Sequence, residues 1–381
     1  MINYFDNCAT TRVDDDVLQI LNKFFTEMYF NPSSLNKYSL EVARYVADAR
    51  SRIANALGAS SPSEIVFVSG GTEADNLALL GSPKRKNCNI VVGGAEHSAV
   101  YNTAMKLKNS GIDVRFCPVT TDGHTLTEDV AKLVDENTSL VAIMHVNNET
   151  GAVNDVKSIV SAVKKINPTA LVFSDGVQAV GKIPVNLSNL GVDLYSFSGH
   201  KIHASKGTGC LYVRRRVSLN PVLTGGGQES NLRSGTEYVG GIVSLAVAVE
   251  KAVASVEEHS RAFNRFKQII ADKLQEIPMC KVNCYEDVSP AIMSVAFAKI
   301  KSEVLMHMLE NSDIIVGMGS ACSSKNKHSR ILSAISLDKD YIEGVVRISF
   351  SKYNTEEQVR YLAEKLKENV SLLRKTMGVR F

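Results

Sequence analysis

Short apolar runs alternate with helical patterns of apolar and polar residues along the first two thirds of the chain. Each run is rich in Val, Ile and Leu and ends at small or polar residues, which is typical of a strand buried on both faces. The predicted strands span residues 64–69, 89–92, 113–119, 139–146, 170–174, 193–198 and 209–214. Helical patterns fall between them, for instance at 72–80, 99–109 and 156–166. The alternation predicts an α/β fold with a mostly parallel seven-stranded sheet covered by helices on both faces.

The pattern changes near residue 240, where one long helical stretch is predicted to continue to residue 277. Beyond it, the pattern predicts strands at 291–298, 314–318 and 345–350, a helix at 302–310 and a closing helix from Thr355. These elements are typical of a smaller α+β domain. We predict a large domain over 15–250 and a small domain over 251–381, with residues 1–14 packing against the small domain.

Length and composition agree with two domains of ordinary globular type, because 381 residues exceed what one compact core usually holds. A hydrophobic content of 44% and a net charge of +3 do not indicate a nucleic-acid surface. No apolar run approaches the roughly 18 residues of a membrane helix, and the N-terminus lacks the pattern of a secretory signal. We therefore expect a cytoplasmic protein that binds neither nucleic acid nor a membrane.

The seven cysteines are scattered and odd in number, which is typical of free thiols in a reducing compartment. Cys280 and Cys284 have the wrong spacing for a zinc knuckle or a redox dithiol, so no metal site is predicted. Cys117 and Cys210 lie in apolar runs and are predicted to be structural. Cys322, by contrast, lies among small, polar and basic residues, which favour an exposed and reactive thiolate.

A carboxylate and an amine follow two successive predicted strands. Asp175 ends an apolar run, where an unpaired carboxylate is costly and a cationic ring nitrogen would satisfy it. Lys201 ends the next, and its amine must lose a proton before it can attack an aldehyde. The ordinary alternatives are a helix N-cap for Asp175 and a surface lysine for Lys201. Together they are the pair that an aldehyde cofactor with a pyridine ring requires.

Further polar groups lie at the ends of predicted strands, which is where parallel sheets bind ligands. At 69–72, the backbone of Gly71 and the hydroxyl of Thr72 are suited to an anion at a helix N-terminus, although a plain N-cap explains the same residues. His97 is suited to stack on a flat heterocycle, with a structural histidine as the alternative. Asn148 is suited to contact a ring substituent or a substrate carboxylate, with turn formation as the alternative.

Four more candidates lie close to these positions or on the last predicted strand. Gln178 is placed to reach a phenolic oxygen on the same ring, and Ser198 and His200 are candidate phosphate donors. Arg347 lies on the predicted strand 345–350, where a planar guanidinium can clamp a carboxylate. The alternative for Arg347 is a salt bridge on an edge strand.

Taken together, these motifs resemble those of the cysteine desulfurases, the NifS/IscS-like branch of the class V, fold-type I pyridoxal-phosphate enzymes. The resemblance runs almost from end to end, and the lysine and cysteine motifs are specific in combination. The segments that carry it are 4–11, 31–34, 69–73, 96–97, 145–149, 175–178, 198–201, 233–236 and 319–322. It implies a homodimer that converts L-cysteine to L-alanine with pyridoxal 5′-phosphate as its cofactor.

The resemblance also implies a role for each candidate around the ring. Lys201 binds the cofactor covalently and moves protons, Asp175 pairs with the pyridine nitrogen, and His97 stacks on the ring and assists proton transfer. Gln178 and Asn148 contact the ring oxygen and the substrate.

The remaining implied roles concern the phosphate, the substrate and the sulfur. Arg347 binds the substrate carboxylate, and Cys322 attacks the substrate sulfur to form a persulfide that a protein acceptor then receives. The implied phosphate ligands are Gly71, Thr72, Ser198 and His200, with Thr236, in a second glycine-rich stretch, supplied by the partner subunit. The same stretch could instead form a simple hairpin.

Five positions depart from the family pattern. Cys8 stands where a small residue is usual and is interpreted as packing, and Phe30 and Asn36 replace a glycine and a histidine. Ser205 and Ser230 replace a proline and an arginine. The last two differences bear most on Thr236. The alternatives are a selenocysteine lyase or another class V lyase with the same cofactor site, and a non-catalytic scaffold in a sulfur-transfer assembly. The acceptor is left open between an iron–sulfur scaffold, a tRNA sulfurtransferase and a thiamin-pathway carrier.

Overall fold

The computed structural model describes residues 2–318 and 329–378. The strands are β1 (Asn3–Phe5), β2 (Ile65–Val68), β3 (Asn89–Gly93), β4 (Asp113–Cys117), β5 (Thr138–Ala142), β6 (Leu171–Asp175), β7 (Leu194–Ser198), β8 (Gly209–Val213), β9 (Cys280–Val282), β10 (Ile292–Phe297), β11 (Ile314–Met318) and β12 (Val345–Ser349). The helices are α1 (Asp15–Thr26), α2 (Lys37–Ala56), α3 (Gly71–Gly81), α4 (Ser98–Asn109), α5 (Thr127–Leu133), α6 (Val156–Ile166), α7 (Leu187–Leu190), α8 (Val239–Ala254), α9 (Val256–Leu274), α10 (Ser302–Glu310), α11 (Arg330–Ala334), α12 (Lys339–Ile342) and α13 (Glu356–Thr376).

The seven strands predicted in the first part of the chain form one sheet in the order β2-β8-β7-β6-β5-β3-β4. Strand β8 is antiparallel to both of its neighbours, and the other six strands run in one direction. Helices α3 and α4 cover one face, and α2, α6 and α8 cover the other. The predicted mostly parallel seven-stranded sheet is therefore confirmed, including its near-continuous apolar strands.

A second sheet has the order β1-β11-β12-β10-β9. Strand β1 runs parallel to β11, and the other pairs are antiparallel. Its apolar face packs against α9, α10 and α13 in a separate hydrophobic cluster. The sequence predicted β10, β11, β12 and both flanking helices, but not the three-residue strands β1 and β9, which are too short to show an alternating pattern.

The single long helix predicted from residue 240 to 277 is wrong. The structure has two helices, α8 and α9, whose axes differ by 64° across a break at Ser255. The helical pattern continues across the break because α8 is buried in the first core and α9, from Phe263 onward, is buried in the second. Within the described residues no single helix is long and apolar enough to cross a membrane, and this bent pair passes by length and composition only when both halves are counted together.

The direction of the strands determines where the site lies. Strands β2, β3, β5, β6 and β7 all end at the same edge of the large sheet, so the loops that follow them meet there. Strand β12 of the second sheet approaches that edge, and Asp6, just after β1, bridges to Ser349 at its end. Polar residues distant in sequence are thereby brought around one cavity.

Candidate active site

A cavity of about 440 Å³ lies at the shared edge of the large sheet, between it and β12. The sequence-predicted residues that line it are Gly71, Thr72, His97, Asn148, Asp175, Gln178, Ser198, His200, Lys201 and Arg347. Among described residues, Thr236 is not part of this lining, and Cys322 lies outside the described ranges. Nearly all predicted side chains for which the structure gives a position therefore face one space.

Lys201 ends a short 3₁₀ turn directly after β7, and this turn brings its amine back toward the N-terminal segment. Its Nζ donates to the backbone carbonyls of Cys8 and, at 2.7 Å, of Ala9. Burial, with the charge of nearby Lys182, lowers the pKa of Lys201 to about 8. A substantial fraction of neutral amine is thus present near neutral pH, which attack on an aldehyde requires.

Asp175 ends β6 and is 3% exposed. One of its oxygens accepts the backbone N–H of Val177 at 2.9 Å, so the predicted alternative of a capping aspartate is also partly realised. Ligand atoms of Asp175, His97 and Asp75 all lie within 4.8 Å of one another. Burial raises the pKa of Asp175, and His97, the N–H of Val177 and Lys201 only partly oppose that shift.

His97 caps α4, and its Nδ1 accepts the N–H of Ala99 at 3.2 Å. In the neutral ring the proton is therefore on Nε2. Burial lowers the pKa of His97, while the Asp175 carboxylate opposes that shift. The structural and functional readings of His97 are thus compatible, since one nitrogen caps the helix and the other remains for the cavity.

The two asparagines after β5 have different roles. Asn147 forms the turn: its Oδ1 accepts from the backbone of Glu149 and Thr150, and its Nδ2 donates to Ala95. Asn148 lines the cavity, and its buried Oδ1 has no hydrogen-bond partner. Asn147 therefore forms the turn, and Asn148 has an unpartnered oxygen in the residue set that lines the cavity.

Arg347 lies on the central strand of the second sheet, so the edge position in the alternative is wrong, although the salt bridge it named is present, with Asp6. Its two terminal nitrogens each donate at 2.8 Å, one to the carbonyl of Asn148 and one to Asp6. Its Nε is buried without a partner, as is Oδ1 of Asn148, and both residues line the cavity. Unpartnered buried polar atoms are costly, and their presence here marks a place where a polar ligand fits.

A second opening of about 350 Å³ lies beside the first at the N-terminus of α3. Thr72, Ser198 and His200 line both spaces, and Lys206 adds a cation to this one. Burial lowers the pKa of His200 to about 4, so it is neutral here, and its Nδ1 lies 3.1 Å from the hydroxyl of Thr10. Exposed N–H groups, hydroxyls and a lysine form an anion site.

The backbone at Gly71 lies so close to the side chain of Val177 that glycine is required there. A Cβ at this position would come within 2.6 Å of a methyl group of Val177. The helix N-terminus can therefore pack directly against the loop that carries Asp175. This contact places the anion site and the buried carboxylate at opposite ends of one ligand-sized space.

Thr236 is exposed and belongs to the loop beside this opening. The loop is held by Arg233, whose Nε donates to Glu73 of α3 at 2.9 Å, and by Glu229, which forms an ion pair with Arg50 at 2.7 Å. With the loop held in this way, Thr236 lines neither of the two described cavities of its own chain.

Sequence reasoning missed several contributors to the cavity and to the opening beside it, among them Asp75, the backbone of Cys8 and Lys206. Asp75 is 1% exposed and accepts the hydroxyl of Ser196 at 2.6 Å, and the signal for it was a carboxylate on the buried face of helix α3. The backbone carbonyl of Cys8 holds both Lys201 and Gln178, so the packing reading of Cys8 omits its main contact. Lys206 carried no signal beyond its position in a glycine-containing loop.

Glu149 also lines the cavity and accepts the hydroxyl of Ser329 at 2.6 Å. Burial raises its pKa from 4.5 to about 7, so the folded chain binds this proton more tightly than the unfolded chain does. The free energy of unfolding therefore falls as pH rises from 4.5 to about 7, and the full loss is present above that range.

We expect Glu149→Gln to stabilise the protein by about 2 kcal/mol at pH 8 and to have little effect at pH 4.5. The amide keeps an acceptor for Ser329 but has no charge to bury. Denaturant midpoints at the two pH values measure the difference, with the exposed Glu286→Gln as the matched control. Equal stabilisation at both pH values would show that ionisation of Glu149 is not the cause.

Comparison with known proteins shows the family of the whole chain. The family model for class-V aminotransferases matches residues 3–362. A cysteine desulfurase from Nostoc sp. is 38% identical over 97% of this chain and 93% of its own length. The cysteine desulfurase NifS of Azotobacter vinelandii is 35% identical with the same coverage. A solved NifS-like protein is 38% identical, superposes with a TM-score of 0.92 and covers 98% of this chain and 100% of its own.

The matches extend over both sheets and leave neither relative with a large unmatched region. The predicted fold class, a fold-type I enzyme with a large and a smaller sheet, is confirmed by the solved relative. The predicted resemblance is confirmed by both sequence relatives. The chain therefore belongs to the class-V aminotransferase family, within its NifS/IscS-like cysteine desulfurases.

Proposed function

We propose that this protein is a pyridoxal 5′-phosphate-dependent cysteine desulfurase that converts L-cysteine to L-alanine and stores the sulfur as a persulfide on Cys322. The observation that carries the proposal is the amine of Lys201 and the carboxylate of Asp175 in the wall of one cavity. When bound, the cofactor supplies an electron sink for the bonding electrons of the substrate.

The residues present fit this cofactor. The anion site at the start of α3 suits its phosphate, and Asp175 at the far end suits its ring nitrogen. Gln178 has an amide nitrogen at the cavity wall, positioned by the carbonyl of Cys8 at 3.1 Å. The orphan atoms of Asn148 and Arg347 remain for the polar groups of the substrate. These residues would therefore hold the phosphate, the ring nitrogen and the polar groups of the substrate.

The residues of this chain divide the proton chemistry between them. Lys201 offers a neutral amine because its pKa is about 8, and once displaced by substrate it can accept and return a proton. His97, with its proton on Nε2, is a second group that can hold or release one near the substrate. Burial and the neighbouring Asp175 raise the pKa of Asp75, so Asp75 stays neutral and Asp175 carries the charge opposite a cationic ring.

The sulfur step belongs to Cys322. Its thiolate attacks the sulfur of the bound cysteine, a carbon–sulfur bond breaks, a sulfur–sulfur bond forms, and the carbon receives a proton to give alanine. Arg347 holds the substrate carboxylate by its guanidinium, which fixes the substrate while this exchange occurs. A reductant or an acceptor thiol then removes the terminal sulfur.

The direct experiment is purification of the full chain followed by incubation with L-cysteine and dithiothreitol. We expect a yellow protein that releases alanine and sulfide in equal amounts. A colourless protein to which added pyridoxal 5′-phosphate does not bind would overturn the proposal, as would a coloured protein that forms no alanine.

We expect Cys322→Ala to keep the colour of the protein but to lose cysteine turnover by at least about 100-fold, because the attacking thiol is gone. Alanine formation with excess dithiothreitol measures the loss. The matched control is Cys280→Ala, which removes a partly buried free thiol of β9 and should leave turnover unchanged. Full turnover in Cys322→Ala would refute the persulfide role.

Activity on selenocysteine distinguishes the desulfurase from a selenocysteine lyase, which is the main alternative. If Cys322→Ala retains its rate on selenocysteine and the unaltered chain prefers selenocysteine over cysteine, the protein is a selenocysteine lyase. Loss of the rate on cysteine, with cysteine as the preferred substrate, supports the desulfurase.

We further propose that the chain works as a homodimer in which Thr236 reaches the phosphate site of the partner subunit. The support is that Thr236 lies on a loop tied to the start of α3 yet lines neither described cavity of its own chain. We propose a reducing, cytoplasmic setting, because the described cysteines are free thiols. The sulfur acceptor is proposed to be a protein, an iron–sulfur scaffold or a tRNA sulfurtransferase.

A further inference from the structure

A buried lysine that has no part in the chemistry described above lies directly behind the active-site cavity. Lys182 is 7% exposed, and its Nζ donates to Oε1 of Gln178. It lines a separate cavity of about 260 Å³ on the far side of Lys201, and Lys201 borders both spaces. Lys182 thus touches the active site only through its neighbours.

The local backbone explains how this lysine comes to be buried. Residues 176–180 form a helical turn in which Val180 donates to Gly176, and the backbone of Lys182 donates to Ala179, so that the side chains of Gln178 and Lys182 meet. The turn ends at Gly181, where φ is +72° and a Cβ would lie 2.5 Å from that of Ala252 on α8. Glycine allows this close approach, which directs Lys182 inward rather than into solvent.

The hydrogen bonds of Gln178 define which way its amide faces. An ammonium group only donates and a backbone carbonyl only accepts. With Lys182 on one side and the carbonyl of Cys8 on the other, the oxygen must face Lys182 and the nitrogen must face Cys8. The reversed amide would set donor against donor and acceptor against acceptor. The second N–H of Gln178 is then directed to an acceptor in the cavity.

Burial lowers the pKa of Lys182, and in its protonated form this group also acts on Lys201 through its charge. The Cys8 carbonyl accepts from both Gln178 and Lys201, so the cation of Lys182 lies one amide away from the reactive amine. After burial, the charge of Lys182 is the largest influence that lowers the pKa of Lys201. Two ammonium groups so close disfavour each other, and the neutral amine of Lys201 relieves the repulsion.

We propose that Lys182 is a positioning residue of the active site, which fixes the amide of Gln178 as a donor to the ring oxygen of the cofactor and keeps the Lys201 nitrogen readily deprotonated. This inference rests on the proposed function, because it concerns the bound pyridoxal cofactor. Both effects act in one direction: each disfavours a proton on the nitrogen that joins Lys201 to the cofactor.

The titratable and charged groups around the two lysines are the same in every Lys182 variant of the test. Those that face Lys201 or Lys182 from the surrounding elements are Asp6, Cys8, Asp14, His97, Asp175, His200, His203, Lys251, His259, Arg347 and Lys352. Because Lys182→Met leaves all of them in place, a change in the titration of the bound cofactor reports the loss of Lys182 itself.

The test is a pH titration of the visible band of the purified holoenzyme. We expect Lys182→Met to raise the midpoint by on the order of one pH unit, since both a nearby cation and an oriented donor are lost. Lys182→Arg should restore most of the original midpoint. Lys251→Met is the matched control, because Lys251 lines the same rear cavity but is half exposed and paired with Asp16.

A midpoint in Lys182→Met equal to that of the unaltered protein would overturn the inference, and so would a raised midpoint that Lys182→Arg does not restore. Should Lys182→Met fail to fold, as melting curves would show, Lys182→Gln decides: it keeps a donor to Gln178 without the charge and should still raise the midpoint. Absence of a visible band in the unaltered chain is a different result, which refutes the proposed function.

Discussion

Lys201→Ala should abolish cysteine turnover, with a loss of at least about 10³-fold. Alanine has neither the amine that binds the aldehyde nor a group that can move a proton, and among the described residues no other lysine lines this cavity. Lys182 is close enough to act on Lys201 through its charge, but its Nζ donates to Gln178 behind the cavity wall. The variant should also lose the pH-sensitive visible band, because no lysine then joins the cofactor to the chain.

Two measurements test the expected effect of Lys201→Ala. Alanine formation gives the change in rate, and borohydride reduction followed by peptide mass mapping shows where the cofactor is attached in the unaltered chain. We expect the label on Lys201. The matched control is Lys267→Ala, because burial also lowers the pKa of Lys267 to about 8, yet it donates to Ser289 away from the cavity. Retained turnover in Lys201→Ala, or a label at Lys267, would contradict the assignment.

Much of the large sheet could be predicted because each of its strands is a short apolar run with a polar end. Asp175 and Lys201 were visible in the sequence for the same reason, since each follows such a run. Parallel strands place their ends at one edge, so two residues found separately in the sequence could be expected to meet. Periodicity and strand direction together were sufficient for this half of the site.

Lys182 could not be predicted, because its burial depends on a contact between segments far apart in the chain. In the sequence it is one lysine beside a glycine, which is typical of an exposed turn. Only the packing of Gly181 against Ala252 of α8 turns the side chain inward. Asp75 was closer to prediction, since a carboxylate at an inward position of an apolar helix is costly unless it has a partner such as Ser196.

The bend at Ser255 and the central position of Arg347 could not be predicted for a related reason. The helical pattern continues across Ser255 because both helices are buried, in two different cores, and a pattern of burial does not record which core is involved. A strand pattern around Arg347 likewise gives no strand order. The central position of β12, which brings Arg347 to the cavity, arises from pairing with β10 and β11.

Asp175→Asn should leave the protein able to bind its cofactor but lower kcat by about 10³-fold, which corresponds to roughly 4 kcal/mol of transition-state stabilisation. The asparagine oxygen can still accept from Val177, so the end of β6 keeps its shape. What is lost is the negative charge opposite the ring nitrogen, in a buried place where a charge acts strongly. Since Arg347 and Asn148 still hold the substrate, KM should change much less than kcat.

A second readout separates this charge effect from simple damage. Asp175 raises the pKa of His97 against the effect of burial, so the pKa of His97 should fall in the asparagine variant and the acidic limb of the rate profile should move to lower pH. Ser174→Ala is the matched control, because its buried hydroxyl on the same strand has no partner and its removal should leave both kcat and the profile unchanged. If Asp175→Asn keeps kcat within tenfold, the buried carboxylate does not serve the ring nitrogen, and the assignment of this cavity to pyridoxal chemistry loses its main support.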